Sequence, residues 1–194
     1  EEPAPPAAMA AAMAAAPAPA VSGGLALQAR GHVDIAAPPE RVFAVLLDPT
    51  ALARVIPGCH ALVSTGANQY RADVTVGVGL VKARYAARIA LSEIHAPRSL
   101  RLAGDGQSTL GTGSGSGVVR LEATASGTRL HYDYAAQVGG KVAAVGSRML
   151  EGAARIVLAQ LFEALGRQAV GGGAAQPAVR SFWQRLLHWL GVAK

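Results

Sequence analysis

TRLHYDYAAQVGGKVAAVGSRMLEGAARIVLAQLFEAL occupies residues 128–165, and the spacing of its apolar residues changes partway along. Up to Gly139, Leu130, Tyr132, Tyr134 and Ala136 fall at every second position, the period of a strand with one buried face. From about Lys141 to Gln168 the steps become three and four, through Val142, Val145, Met149, Ala153, Ile156 and Val157 to Leu161, Phe162 and Leu165, which is the stripe of an amphipathic helix. At about 1.5 Å per residue that helix is about 40 Å long, enough to cross an entire sheet. Glycines at 171–173 and Pro177 end it.

Upstream, the two-residue period recurs. QYRADVTVGV at 69–78 places Tyr70, Ala72, Val74, Val76 and Val78 on one face and Arg71, Asp73 and Thr75 on the other. VKARYAARIALSEI at 81–94 turns Ala83, Tyr85, Ala87, Ile89 and Leu91 inward and Lys82, Arg84 and Arg88 outward, after a hairpin turn containing Gly77 and Gly79. APRSLRLAGDG at 96–106 and GSGVVRLEATASG at 115–127 continue the series. Short connections make these strands antiparallel neighbours. Before them, GHVDIAA at 31–37 reads as a strand, and PPERVFAVLLD at 38–48 as a helix on Val42, Phe43, Leu46 and Leu47. A second short helix follows from Pro49, capped by Asp48 and stopped by Pro57 and Gly58. The fold class is therefore α+β: a curved antiparallel sheet of about six to seven strands wrapped around a long C-terminal helix, in the order of the helix-grip fold, enclosing an apolar cavity.

The chain has 194 residues, room for one such domain with appendages. Residues 1–24, almost all Ala, Pro and Met, read as a disordered linker; 25–168 as the cavity domain; 169–180 as a flexible linker; and 181–194 as an amphipathic helix. The lone cysteine, Cys59, permits no intrachain disulfide and no thiolate cluster, so a reducing compartment is the expectation. The start at Glu1, without a basic n-region or an apolar core, is unlike a secretory signal and reads as a processed product or the C-terminal part of a longer polypeptide. No run of about 20 apolar residues spans a bilayer.

Lys and Arg number 18 against 12 Asp and Glu, and no acid follows Glu163, while Arg167, Arg180, Arg185 and Lys194 do. Such a tail is drawn to polyanions. The two tryptophans sit together in SFWQRLLHWLGVAK at 181–194 rather than interleaved with basic residues on a sheet, which argues against nucleic acid. On a helical projection Phe182, Trp183, Leu186, Leu187, Trp189 and Leu190 share an arc of about 160°, opposite Gln184, Arg185 and His188. Two readings stand: a helix packed on the parent domain or a partner, and a membrane-interface helix that buries these apolar residues with Arg185 and Lys194 beside them.

Three stretches, DPTALARVIPGCHAL at 48–62, VGVGLVKARYAARIAL at 76–91 and VGGKVAAVGSRMLEGAARIVLAQLFEAL at 138–165, resemble the CoxG family of carbon monoxide dehydrogenase subunits, of the START and polyketide-cyclase-like (SRPBCC) superfamily. The resemblance covers roughly residues 27–168. It implies a non-catalytic, cytoplasmic accessory protein, peripheral on the inner face of the cell membrane, beside a molybdenum hydroxylase of the carbon monoxide dehydrogenase type. It also implies a quinone, menaquinone or ubiquinone, or a similar lipid carried between membrane and enzyme; anchoring or assembly without transport is the alternative. The Ala-rich arm and the small residues of STLGTGSGSG depart from the family pattern.

Candidate cavity residues are Val74, Val76, Tyr85, Ile89 and Leu102 from the meander, Leu130, Tyr132 and Tyr134 from the last strand, and Met149, Ala153 and Ile156 from the long helix. One of the four tyrosines could hydrogen-bond a quinone carbonyl, the rest being core. Gly111, Gly113, Gly115 and Gly117 either clear one strand face for a ligand or form a loop. Cys59 and His60, being adjacent, do not suit a nucleophile and base. His32, His95 and His131 stand singly without metal-ligand spacing, so no metal site is expected, and Arg148 reads as solvated or partner-facing.

Overall fold

The period-two segments all become strands in the computed structural model, which describes residues 24–78 and 81–171. In chain order these are β1 (Leu25–Ile35), α1 (Pro39–Leu47), α2 (Pro49–Val55), β2 (Cys59–Gly66), β3 (Gln69–Val78), β4 (Val81–His95), β5 (Ser99–Ser108), β6 (Gly111–Thr124), β7 (Gly127–Gly139), a 3₁₀ turn over Gly140–Val145, and α3 (Ser147–Gly171). The strands form one antiparallel sheet ordered β1-β7-β6-β5-β4-β3-β2. Because the connection from β1 to β2 runs through α1 and α2, these two strands become the sheet's edges, and α3 lies in the concavity between them. β2 has no clean alternation in sequence, and the structure shows why: it is an irregular edge, bulged at two places and largely exposed.

The register confirms the inward sets read from the sequence. Tyr70, Ala72, Val74 and Val76 pair with Ile89, Ala87, Tyr85 and Ala83. On the convex face the intervening charges neutralise one another across strands: Arg84 Nε donates to Asp73 at 2.6 Å, Arg88 pairs with Asp105 at 2.9 Å, and Arg129 with Asp34 at 2.8 Å. Hydrogen bonding from the arginine holds Asp73 and Asp34 below the usual carboxylate range.

One end of the molecule is tightly packed. There α1, α2 and the C-terminal half of α3 close over the sheet, burying Val42, Val55, Leu100, Leu130 and Leu165 almost completely, with Phe43 and Phe162 beside them. Asp48 caps α2 by accepting from the Thr50 backbone N–H at 2.8 Å, as its position before Pro49 predicts. Thr128 is the one buried polar residue among those described, and its hydroxyl donates to the Ala37 carbonyl at 2.6 Å, tying β7 to the entry of α1. Thr128→Val fills the same volume and leaves that carbonyl unpaired. It should cost about 1–3 kcal/mol in denaturant unfolding, and Thr128→Ser, which keeps the hydroxyl, should cost less.

The long helix differs from its expected bounds at both ends. Residues 140–145 are a 3₁₀ turn because the Val142 N–H donates to Leu110 O at 3.0 Å, which draws this segment onto the β5–β6 turn. Gly146, at φ 87°, then resets the chain direction before α3. At the far end α3 continues past Gln168 to Gly171: Ala169 is buried and Arg41 donates to Val170 O, so the linker expected from 169 begins no earlier than 172. Residues 1–23 of the arm expected at 1–24 and the amphipathic segment, with Phe182, Trp183, Arg185, Leu186, Leu187, Trp189, Leu190 and Lys194, lie outside the described residues.

Candidate functional site: an open trough under the long helix

The other end of the concave face is not packed shut. α3 makes its close backbone approaches to α1, α2, β1 and β3 and so bridges the flanks of the sheet above the central strands. Those strands carry almost no side chains there. Gly104 and Gly106 of β5 pair with Gly115 and Gly113 of β6, and Gly106 and Gly104 pair on the other side with Ala87 and Ile89 of β4. A Cβ built on Gly113 would meet only Gln137 O, at 3.8 Å, so nothing from α3 fills the space above it. The alternating glycines of β6 are thus strand rather than loop, and they form the floor of a trough. Gly104 and Gly115 have a second reason to be glycine. A Cβ there would lie 2.9 Å from Arg88 O and 2.8 Å from Ala135 O, closer than sheet neighbours tolerate.

Around this floor the inward side chains of Val74, Val76, Tyr85, Tyr134 and Ala136 are half-buried, and Leu102 is 37% exposed although it points into the concavity. The expected enclosed cavity is therefore an apolar trough open to solvent. Of the sequence-derived lining residues, Val74, Val76, Tyr85, Leu102 and Tyr134 are brought together at the trough, with Ala153 on the inward-facing flank of α3. Ile89 marks its boundary with the packed core. Leu130 and Tyr132 belong to that core: Leu130 is fully buried, and Tyr132 lies over Gly31 with its ring 4.9 Å from Phe162. Met149 and Ile156 are corrections. They are 54% and 38% exposed, because the buried face of α3 runs through Leu150, Val157, Leu158, Phe162 and Leu165 and leaves them on its outer side.

Beside Tyr85, the trough holds Tyr134. Burial raises its phenol above the usual value; the neighbouring Tyr132 adds to this, Arg155 opposes it and Glu151 adds again, so the hydroxyl is held protonated as a donor. It makes no hydrogen bond to another described residue. The floor contribution of Gly104 and Gly106 escaped the sequence reading. Its signal is the spacing in LAGDG at 102–106, which becomes meaningful only once β5 is set in register with β6.

Other reactive groups do not converge. Cys59 Sγ contacts Ala61 O at 3.4 Å and its thiol is pushed up by burial, while His60 Nε2 lies 2.8 Å from Thr75 Oγ1, on a different partner. His32 and His131, read singly, are neighbours across β1 and β7 with ring centroids 5.9 Å apart, and His131 also contacts Glu122 at 3.2 Å. A cleft of about 640 Å³ at the packed end includes Arg98, Arg120, Glu122 and His131; it is open, and within it His131 contacts Glu122. No group of three or more His, Cys, Asp or Glu suited to a metal occurs among the described residues, and no helix among them is long and apolar enough to cross a membrane.

Comparison with known proteins places this architecture. Residues 31–170 match the family model for the carbon monoxide dehydrogenase subunit known as CoxG. A conserved protein from Geobacillus kaustophilus is 34% identical, with 74% of this chain and 95% of that chain covered at a TM-score of 0.71. The Zhui aromatase/cyclase from Streptomyces sp. R1128 superposes with a TM-score of 0.55 over 78% of this chain and 100% of its own, at 18% identity, and a Thermus thermophilus protein with 0.57 over 77% and 100%, at 14%. These last two show the shared helix-grip fold. No curated protein sequence matches the chain. Matched over most of its length, the chain belongs to the CoxG family of carbon monoxide dehydrogenase subunits.

Proposed function

We propose that this protein is a membrane-associated accessory protein of a carbon monoxide dehydrogenase-type molybdenum hydroxylase, and that its trough carries a quinone or similar apolar lipid between bilayer and enzyme. Family membership supports the accessory role. The observation that carries the ligand reading is the glycine floor: the inward Gly104, Gly106, Gly113, Gly115 and Gly117 on adjacent strands, under a helix that bridges above them, keep apolar space clear where a core would otherwise be filled. A flat ring or an isoprenoid chain fits such a floor, and Tyr134 offers one donor for a carbonyl oxygen. The protein acts by binding, since the trough presents no nucleophile with a base to activate it. The segment 181–194 supplies membrane attachment from the cytoplasmic side.

Extraction of the purified protein with organic solvent, followed by mass spectrometry and by titration with menaquinone and ubiquinone analogues, tests this. Recovery of a quinone or isoprenoid lipid, or saturable binding of an added one, is the expected result. An empty extract together with no binding would overturn it. Tyr134→Phe should weaken quinone binding by about two- to tenfold, the effect of one lost hydrogen bond, without changing the melting temperature. Loss of affinity should also appear in the wild type as pH rises through the elevated Tyr134 value, because the phenolate cannot donate.

A further inference from the structure

The cleft of about 640 Å³ at the packed end lies between the start of α1, the β4–β5 turn and the far end of β6, away from the trough. Cross-strand register puts Ser99 of β5, Arg120 of β6 and His131 of β7 in one row on the convex face, and Arg98 enters from the turn. The backbone of Arg98 is fixed on both sides, since its N–H donates to His95 O and its carbonyl accepts from the Leu121 N–H, both at 2.7 Å. Five arginines of the strands, Arg30, Arg84, Arg88, Arg101 and Arg129, are paired with carboxylates. The Arg98 and Arg120 guanidiniums, by contrast, have neither an ion pair nor a hydrogen bond among the described residues, and the half-buried Ser99 hydroxyl likewise has no partner there. The two acids of the cleft are already answered. Glu122 contacts His131 at 3.2 Å and stands opposite Arg129 in the β6–β7 pair, and Glu40 sits in the first turn of α1, where the helix dipole favours a negative charge.

Two cations without an internal counter-charge, beside an unpartnered hydroxyl, form a receptor for a compact anion, because guanidinium forks match the oxygens of a phosphate or carboxylate. A carboxylate offers two oxygens in one plane. A phosphate monoester offers three in a tetrahedral arrangement with nearly two charges, which suits three donors approaching from a turn and two adjacent strands. Inorganic phosphate alone would leave most of the cleft empty, since its volume falls within the range of about 300–1,000 Å³ typical of small-molecule sites. Pro39, Pro97 and Ala123 give the remaining space an apolar wall, and Glu40 can accept from a ligand hydroxyl. We propose that this cleft binds a small organic phosphate, with Arg98, Arg120 and Ser99 on the phosphoryl oxygens. The site is separate from the quinone reading: it lies at the other end of the sheet and on its convex side, so the two ligands do not compete for space and either reading can fail without the other.

Titration of the full, ¹⁵N-labelled chain with ribose 5-phosphate, followed by NMR, tests it, with ribose, inorganic phosphate and succinate as comparisons. Ribose 5-phosphate should move the amide resonances of Arg98, Ser99 and residues 120–123 saturably, and ribose should not. Inorganic phosphate should move the same resonances but bind at least about fivefold more weakly, for want of the organic part. Arg98→Gln/Arg120→Gln should weaken binding by about tenfold or more, the effect of losing charge-assisted hydrogen bonds, while Arg71→Gln, elsewhere on the sheet, should leave it unaltered. Melting temperatures check that each variant folds, and Arg98→Lys/Arg120→Lys, which keeps the charge and loses the forks, gives a milder second measurement in the same direction. Absence of saturable shifts at the cleft, or full affinity in the folded Gln variant, overturns the proposal. Inorganic phosphate binding as tightly as ribose 5-phosphate overturns the organic ligand, and tighter binding of succinate overturns the phosphate.

Discussion

Leu165→Ala should lower the free energy of unfolding by about 2–5 kcal/mol, and Met149→Ala, in the same helix, by less than about 0.5 kcal/mol. Leu165 has no exposed surface and sits where α3 meets α1, α2 and the packed end of the sheet. Its removal leaves a cavity that the surrounding elements cannot collapse to fill, so the lost transfer energy is joined by lost contacts. Met149 is on the outer side of α3 at the open end, and truncation there removes little contact. Urea unfolding of the two variants against the unaltered chain measures the difference. Equal destabilisation would mean that α3 is buried along its whole length and that the trough is not open.

Gly113→Leu is expected to do the reverse: to leave stability unchanged or slightly higher and to lower quinone binding by about tenfold or more. A Cβ at 113 points into the trough and meets only Gln137 O, at 3.8 Å. The strand gains by losing a glycine, worth about 0.5–1 kcal/mol in backbone entropy, and the ligand loses the floor on which it lies. Gly115→Val is the companion, two residues along the same face. Its Cβ would lie 2.8 Å from Ala135 O and 3.0 Å from Ala136 Cβ, so β7 must move and about 1–3 kcal/mol of stability should be lost. Thermal unfolding and quinone titration on both variants separate the two roles. Full quinone binding by a folded Gly113→Leu protein would place the ligand elsewhere.

Much of this architecture is legible in the sequence alone. Strand faces followed from period-two alternation because an antiparallel strand with one buried side leaves no other arrangement, and the observed pairing of Val74 with Tyr85 and of Tyr134 with Gly117 keeps those faces. Asp48 before Pro49 announced a helix start through chemistry local to three residues. The stretches at 48–62, 76–91 and 138–165 carried the family.

Tertiary structure decided what long-range packing alone can decide. The N-terminal half of α3 carries Arg148, Glu151 and Arg155 along one side and a broad apolar arc through Met149, Leu150, Ala153, Ala154, Ile156 and Val157 over the rest, so its period alone does not select which of these apolar residues turn inward. Packing of Phe162 and Leu165 at the other end fixes the rotation of the whole helix and turns Met149 and Ile156 outward. The hydrogen bond from Val142 to Leu110, distant along the chain, likewise converts the expected first turns of that helix into a 3₁₀ segment. The glycines of β6 could be read as loop or floor until strand register set them against Gly104 and Gly106. Sequence determined the faces of each element, since those depend on neighbours a few residues away. Only the fold determined which faces meet and which remain open, since that depends on how the elements pack.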